Sequence, residues 1–342
     1  MNDKLKYIFL TFLVCVLCLT SCSSDSDSQA PDAGPLAELK FDLQGISRAS
    51  VTNNDNFKLQ SFKVFGDMKS SSSSGNIVVF NGDEVKYNSS TNGWEYSNTQ
   101  YWFPNYEYSF VAVHPATLLS TPQYSDSRLS FTYTLPSDNN NATDILIATH
   151  RRECGNYQQG TTEPVRFKFS HILSLINIAL SLDDSSMGED ELLQFHKLEF
   201  SGVNDKATFN IASASLQTNR QTDDSVVEMT SQESENKLTV GFDTPVIVTN
   251  HGNTVSFFDD SDALIMLPQT FAATSNAQLV LTYTVNDDTT ERQVTIPLRD
   301  MKWESGKSYA YKITLTIDKM ELEVETTITD WEVLNGEDVD AH

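Results

Sequence analysis

Side chains that commonly carry out catalysis or bind metals are present in this chain of 342 residues, but their spacing matches no familiar site. The six histidines are scattered, and none belongs to a His-Glu-x-x-His pair or to a histidine–cysteine cluster. The sequence also contains neither the Gly-x-Ser-x-Gly motif of serine hydrolases nor a glycine-rich phosphate loop. We therefore predict no catalytic residues, no resident metal and no cofactor.

Acidic side chains dominate the charge of the chain, with 47 Asp and Glu against 23 Lys and Arg and a net charge of −24. Such a charge opposes binding to nucleic acid or to an anionic membrane surface. One acidic run, Asp259-Asp260-Ser261-Asp262, offers oxygen ligands of the kind that Ca²⁺ prefers. It lacks the glycine and the terminal glutamate of an EF-hand loop, so we interpret it as an acidic turn.

Cys22 is the residue with the most specific chemistry. It follows an apolar segment at residues 7–19, with two lysines ahead of it, which is typical of a signal peptide. That segment is shorter than the roughly 20 residues of a membrane-spanning helix. Leu19-Thr20-Ser21-Cys22 resembles the lipobox of bacterial lipoproteins, which implies removal of residues 1–21 and acylation of Cys22. An ordinary secretory signal that contains a cysteine is the alternative.

The other cysteines set limits on stabilisation. Cys15 and Cys18 would leave with the signal peptide, so Cys154 would be alone and no intramolecular disulfide could form.

Residues 22–35 are rich in Ser, Asp and Pro, which indicates a solvated tether. Acyl chains contribute about 0.8 kcal/mol per buried methylene, so a lipidated Cys22 would hold the protein at a membrane without a spanning helix.

Alternation of apolar and polar residues is the main structural pattern of the rest of the chain. It occurs at residues 39–43, 131–133, 165–169 and 279–283, with Gly, Asn, Asp and Ser between such segments. This period of two predicts short antiparallel strands. A helical turn at residues 189–194 is the one helix that we predict. The fold class is therefore all-β, and a β-sandwich is the architecture that we expect.

An internal repeat divides the sequence. Residues 102–110 and 303–311 both read Trp, two residues, a turn residue, two residues and then aromatic residues one position apart. This spacing predicts a tight turn at Asn105 or Gly306, followed by a strand that buries alternate aromatic side chains. We predict two β-domains, at residues 36–160 and 161–342.

Several motifs in a fixed order resemble one known family. They are the signal with Cys22 and a first strand ending at Arg48-Ala49; residues 101–102 leading to residues 108–115; residues 144–149; residues 167–174; and Ile328-Thr329-Asp330-Trp331-Glu332 with Gly336 shortly after. In these features the chain resembles the fimbrillin family, the type V pilins and related fimbria accessory proteins. The matching positions extend over nearly all of the sequence that follows Cys22.

The resemblance implies a fold and a mechanism of assembly. Fimbrillins consist of two transthyretin-like β-sandwich domains in tandem and reach the outer membrane as lipoproteins. An arginine-specific protease then removes the first strand, and a strand from a neighbouring subunit fills the open groove by strand addition. The partners implied are thus other fimbrial subunits, the protease and, before processing, the outer membrane. The final location is a cell-surface fimbrium, and the role is structural or at the tip.

The resemblance places the removable strand at residues 36–48, with cleavage between Arg48 and Ala49. Alternation predicts that Leu39, Phe41 and Leu43 face the core, and burial of each contributes roughly 1.5–3 kcal/mol. From the residues alone, Arg48 is equally well a surface arginine at the end of a strand.

The predicted donor strand is the segment 321–333, in which Leu322, Val324 and Ile328 lie on one face and acidic residues on the other. Periodicity leaves open whether this strand completes its own domain or complements a neighbour. It also leaves open a stalk, tip or anchor role.

A different class of function is a surface lipoprotein that does not polymerise and that binds a glycan or a host protein. Exposed aromatic residues on loops would serve such binding, and Tyr124 and Tyr157 are the candidates.

Overall fold

The computed structural model describes residues 36–47, 61–70, 72, 74–118, 121–154, 163–183, 187–188, 190–212, 227–232, 237–250, 252–258, 263–316, 321–331 and 333–335. The described residues form strands and connecting turns, so the predicted all-β class is confirmed. Their one helical element is a 3₁₀ turn at Asn139–Asn141. No helix in these ranges is long and apolar enough to cross a membrane.

The strands, in chain order, are β1 (Phe41–Ser47), β2 (Ser61–Ser70), β3 (Ile77–Asn88), β4 (Gly93–Glu95), β5 (Tyr106–His114), β6 (Gln123–Ser125), β7 (Arg128–Thr134), β8 (Leu146–Cys154), β9 (Val165–Lys168), β10 (Ser170–His171), β11 (Ser174–Leu182), β12 (Leu192–Ser201), β13 (Lys206–Ala212), β14 (Val227–Gln232), β15 (Leu238–Thr249), β16 (Val255–Ser256), β17 (Leu264–Met266), β18 (Gln269–Thr270), β19 (Gln278–Val285), β20 (Arg292–Pro297), β21 (Lys302–Trp303), β22 (Lys307–Thr316), β23 (Glu321–Asp330) and β24 (Val333–Asn335).

The largest sheet rolls around its own core. Its strands follow the order β10-β8-β5-β2-β3-β4-β1-β24, and β9 pairs with β1. Only Phe169 separates β9, which pairs with β1, from β10, which pairs with β8. This stretch of chain therefore joins the two ends of the sheet. The enclosed core is aromatic and includes Phe41, Phe62, Phe110 and Phe167.

The second half of the chain contributes two facing sheets, β16-β11-β22-β23 with β17 beside β11, and β15-β12-β19-β20. Ile176 and Ile313 of the first sheet meet Leu279 and Ile296 of the second in a common apolar core. This is the face-to-face packing of a β-sandwich. A short sheet, β18-β21, lies at its side.

A fourth sheet joins the two halves of the sequence. Its order is β14-β13-β7-β6, so β7 from the first half pairs with β13 from the second over seven residues, from Lys206↔Thr134 to Ala212↔Arg128. Similarly, β9 and β10 follow residue 160 in sequence but belong to the rolled sheet. The division at residues 160 and 161 stays a prediction, and strands cross it in both directions.

The predicted repeat is confirmed in atomic detail. Asn105 and Gly306 both have a positive φ, of 63° and 69°. After each turn, a tyrosine hydroxyl accepts a hydrogen bond from the backbone N–H that follows the tryptophan: Phe103 N to Tyr108 at 2.8 Å, and Glu304 N to Tyr309 at 2.8 Å.

The tryptophans of the two repeats, Trp102 and Trp303, are each only 1% exposed. Trp303 Nε1 donates to the hydroxyl of Tyr311 at 2.9 Å. Phe110 occupies the corresponding position of the first repeat and has no hydroxyl, and there the guanidinium of Arg152 lies over the Trp102 ring at 5.1 Å. The two repeats therefore share the turn and the hydrogen bond from the backbone N–H to the tyrosine hydroxyl, whereas the side chains around the indole differ.

The predicted helical turn at residues 189–194 is wrong, because Leu192 to Gln194 already belong to β12. There Phe195 is buried, and pairing with both β15 and β19 overrides any local helical preference.

Candidate functional site

The first strand, β1, is paired along both of its edges. Phe41 pairs with Trp94 of β4 on one edge and with Val165 of β9 on the other. Gly45 pairs with β9 and with Asn335 of β24. A strand has only two edges, and β9 occupies one of them along the whole paired length. β24 therefore lies on the same edge of β1 as β4, further along the strand. β1 is thus an interior strand, and its loss would leave unpaired backbone groups on both sides of a slot.

The face of β1 that the sequence predicts to be buried is buried. Leu39 is 0% exposed and Phe41 is 4% exposed. Leu43 is half-buried and packs against the same core. The intervening Lys40 and Asp42 are exposed. The alternation thus places the apolar side chains in the aromatic core and the charged ones in solvent.

Phe41 occupies a pocket with aromatic walls. Its ring stacks on Phe167 with centroids 5.5 Å apart and 16° between planes, and it meets Phe80 edge-on at 5.4 Å. Tyr96 and Phe110 also contact it edge-on, at 5.5 and 6.1 Å. Such pairs contribute about 0.5–1.5 kcal/mol each beyond the burial of their area. Phe41 is therefore the main side-chain anchor of β1.

Backbone hydrogen bonds hold the residues that lead into β1. Leu39 N donates to Gln100 O at 2.8 Å, and Val165 N donates to Lys40 O at 2.7 Å. The hydroxyl of Tyr96 donates to Leu39 O at 2.6 Å. Burial raises the pKa of Tyr96 to about 12, so this hydroxyl keeps its proton and remains a donor even in mildly alkaline solution.

The end of β1 pairs with the C-terminal strand β24, with Ile46 opposite Leu334 and Ser47 opposite Val333. Arg48, the predicted cleavage residue, follows Ser47 directly in the sequence. The strand that cleavage would release is therefore also the partner of β24, a pairing that the sequence analysis did not predict.

The predicted donor segment forms β23, the outermost strand of its sheet. It pairs antiparallel with β22 over ten residues, from Lys307↔Asp330 to Thr316↔Glu321. Residues 326–330 are all exposed, and Ile328 is 55% exposed. Residues 326–330 are thus held by backbone pairing and by a salt bridge from Lys307 to Asp330 rather than by burial of their own side chains.

Immediately after β23 the chain is anchored by Trp331, which is 5% exposed. Its indole stacks on the imidazole of His171 with centroids 3.7 Å apart and 5° between planes. His171 Nδ1 lies 2.5 Å from Asp144 Oδ2, and both side chains are buried. Trp331 N donates to Gly306 O at 2.8 Å. Three separate sequence motifs, from residues 144–149, 167–174 and 328–332, thus meet at one buried point.

His114 lies close to the cluster of Trp331, His171 and Asp144, and its burial predicts how the stability of the protein depends on pH. Burial lowers its pKa, while the Ser61 carbonyl, 3.0 Å from Nδ1, and the carboxylate of Asp144 oppose the shift. Between the lowered folded pKa and the unfolded value of about 6.5, only the unfolded chain binds the proton. Stability should therefore fall as pH drops below about 6.5. Denaturant titrations of wild type and His114→Gln should show a shallower loss in the variant, and equal losses would contradict this assignment.

The remaining predicted residues have varied outcomes. Cys22, Arg48, Ala49, Tyr157 and residues 259–262 lie outside the described residues, and of Leu322 and Val324 only the backbone pairing within β23 is described. Tyr124 is not the exposed loop aromatic that we expected. It lies in β6, its ring packs 5.8 Å from Phe65, and its hydroxyl is buried. The described residues contain no group of three or more His, Cys, Asp and Glu side chains arranged to hold a metal.

A family model described as fimbrillin-like matches residues 47–331. A fimbrial protein from Bacteroides vulgatus shares 18% sequence identity and has a TM-score of 0.59, and the match covers 86% of this chain and 99% of that protein. At this identity the similarity establishes a common fold. No curated protein matches the sequence.

Two further solved structures match over most of the chain with lower scores. A cell adhesion protein, described as putative, from Bacteroides uniformis has 16% identity and a TM-score of 0.49 over 87% of this chain and 99% of its own. The tip fimbrial protein Mfa3 from Porphyromonas gingivalis has 13% identity and a TM-score of 0.36 over 86% of this chain and 100% of its own.

Proposed function

Because the chain belongs to the fimbrillin-like family, we propose that it is a structural or tip subunit of a cell-surface fimbria. It is exported as an outer membrane lipoprotein through Cys22 and is cut after Arg48. It joins other subunits by strand exchange once β1 has left. Membership of this family favours a structural role over catalysis.

The observation that carries the proposal is the position of β1. It is an interior strand that buries Leu39 and Phe41, and it is paired on both edges. A strand in this position cannot leave without opening an apolar slot lined by unpaired N–H and C=O groups. Such a slot binds any strand that supplies the missing hydrogen bonds and side chains.

The order of the sites along the chain connects cleavage with release. Cys22 precedes Arg48, so a cut after Arg48 separates the folded protein from its acyl chains. β24 loses its partner in the same step, because Val333 and Leu334 pair with residues of β1. One proteolytic event therefore opens the slot, removes the strand partner of β24 and detaches the subunit from the membrane.

The C-terminal strands are suited to donation. Within the described residues, β23 pairs with a strand on one of its edges, and its side chains at residues 326–330 are exposed. Detaching residues 326–330 loses the hydrogen bonds to β22 but little buried apolar area, so the main buried contact that donation gives up is that of Trp331 with His171. In this proposal β23 and the residues after it complement the slot of a neighbouring subunit.

Blocking the cut should keep the subunit out of fimbriae. In the bacterium that produces the protein, we expect the wild type in the sheared fimbrial fraction, with Ala49 as its first residue by mass spectrometry. Arg48→Ala should stay in the membrane fraction with acylated Cys22, and its fimbrial signal should fall at least about tenfold because β1 still fills the slot.

The matched control for this experiment is Arg128→Ala. Arg128 is exposed, and among the residues that the structure describes its ion pair is with Glu228 at 3.1 Å, a surface pair worth about 0–1 kcal/mol. This variant should be processed like the wild type. Incorporation of uncut Arg48→Ala into fimbriae at the wild-type level would refute strand removal as the trigger.

A further inference from the structure

Building on the proposed function, we infer that the slot left by β1 selects a donor strand with an aromatic residue at the Phe41 position and an aliphatic residue two positions earlier. The C-terminal strand of a second copy of this chain does not have that pattern. The partner that fills this slot is therefore a different subunit, and the addition at this end is heterotypic.

The selection arises from the walls of the pocket. The side chains around Phe41 are themselves packed rings, of which Phe80, Phe110 and Phe167 are at most 1% exposed. Each is fixed by further neighbours; Phe80 and Phe110, for example, lie 6.2 Å apart. Walls of this kind collapse poorly around a smaller side chain, so an aliphatic residue in the pocket leaves a cavity.

The neighbouring position has a different requirement. Leu39 is fully buried, whereas Leu43 is half-buried at the far side of Phe41. A donor strand that restores the core thus presents an aliphatic residue, then an aromatic residue two positions on, with a less demanding third position. The edges formed by β4 and β9 select for extended backbone but carry no information about side chains.

The chain's own C-terminal strand does not meet this requirement when its predicted apolar face is turned to the core. The face that carries Leu322, Val324 and Ile328 contains no aromatic residue between residues 321 and 330. Whichever of these residues enters the Phe41 pocket, the volume of a ring is missing. A register that places Thr326 in the pocket also buries a hydroxyl without a partner.

A shift by one residue turns the other face of the strand to the core. That register places Trp331 in the pocket, with Thr329 and Val333 two positions to either side. An indole is larger than the benzyl group that the pocket now holds, and overpacking of a filled core is unfavourable. It also places Thr329 or Val333 at the fully buried Leu39 position.

The test uses the full chain with the recognition sequence of a site-specific protease inserted after residue 48, so that β1 can be released without reliance on natural processing. After cutting, the protein is incubated with labelled peptides, and retention is measured by native mass spectrometry and fluorescence anisotropy. The peptides are residues 36–48, the same peptide with Phe41→Val or with Asp42→Val, residues 321–333, and that peptide with Val324→Phe.

We expect the 36–48 peptide and its Asp42→Val control to bind equally, since Asp42 is exposed. The Phe41→Val peptide and the natural 321–333 peptide should bind at least about tenfold more weakly, and Val324→Phe should recover most of that loss. Equal affinity of the 321–333 and 36–48 peptides would overturn the heterotypic assignment and leave strand exchange intact. Failure of every peptide to bind, including 36–48, would count against strand exchange itself and remove this inference with it.

Discussion

Replacing Phe41 by alanine should lower the free energy of unfolding of the uncut chain by about 3–5 kcal/mol. The benzyl group is 4% exposed and contacts four aromatic rings, so its removal leaves a cavity whose walls cannot close. Because typical domains are stable by only about 5–15 kcal/mol, the loss would be a large share of the total. Equilibrium urea denaturation, followed by tryptophan fluorescence, measures it.

The control for Phe41→Ala is Asp42→Ala in the same strand. Asp42 is exposed, and its described side-chain contact is a local hydrogen bond from Leu43 N at 2.8 Å. This substitution should change the stability by no more than about 0.5 kcal/mol. If the two variants were equally stable, β1 would not be the packed interior strand on which the proposed assembly depends.

Replacing Trp331 by alanine should have an effect of similar size, again about 3–5 kcal/mol. The indole is 5% exposed, stacks on His171, and fixes the chain where β23 ends. Its loss also exposes the buried pair of His171 and Asp144 to water. We expect a lower unfolding temperature by calorimetry and faster proteolysis after β23, because the segment that leads to β24 loses its anchor.

Ile328→Ala is the matched control, at a position three residues earlier and within β23. Ile328 is 55% exposed, so its truncation should change the stability by no more than about 0.5 kcal/mol. Wild-type stability and wild-type proteolysis in Trp331→Ala would show that the stack with His171 does not hold the C-terminal segment.

The Phe41 and Trp331 variants test the first strand and the C-terminal strands separately. Phe41 reports on retention of the first strand, and Trp331 reports on retention of the last ones. Since β1 pairs with β24 directly, we expect Phe41→Ala to increase proteolysis at the C-terminus as well. Limited proteolysis of both variants therefore tests whether the ends are coupled.

Local patterns in the sequence were sufficient for a substantial part of the fold. Alternation identified Leu39 and Phe41 as buried, and the spacing from Trp102 and Trp303 identified the turns at Asn105 and Gly306. These features depend on residues only a few positions apart, because side-chain direction along a strand and backbone conformation in a turn are local properties.

Contacts between residues far apart in the sequence could not be predicted from such local patterns. β24 has three residues, too few for a periodic signal, and pairs with a strand at the other end of the chain. The stack of Trp331 on His171 likewise joins distant motifs. Tyr124 was predicted to be exposed, and packing against Phe65 buries its hydroxyl instead.

For the proposed assembly site, the sequence and the tertiary structure determined different features. The sequence determined which face of β1 is apolar and which residues alternate in β23. Only the tertiary structure decided that β1 has partners on both edges, that aromatic rings surround Phe41, and that β23 lies at the end of its sheet among the described strands. The physical reason is that the neighbours of a strand are chosen by long-range pairing and burial, whereas its two faces are set by the period of the backbone.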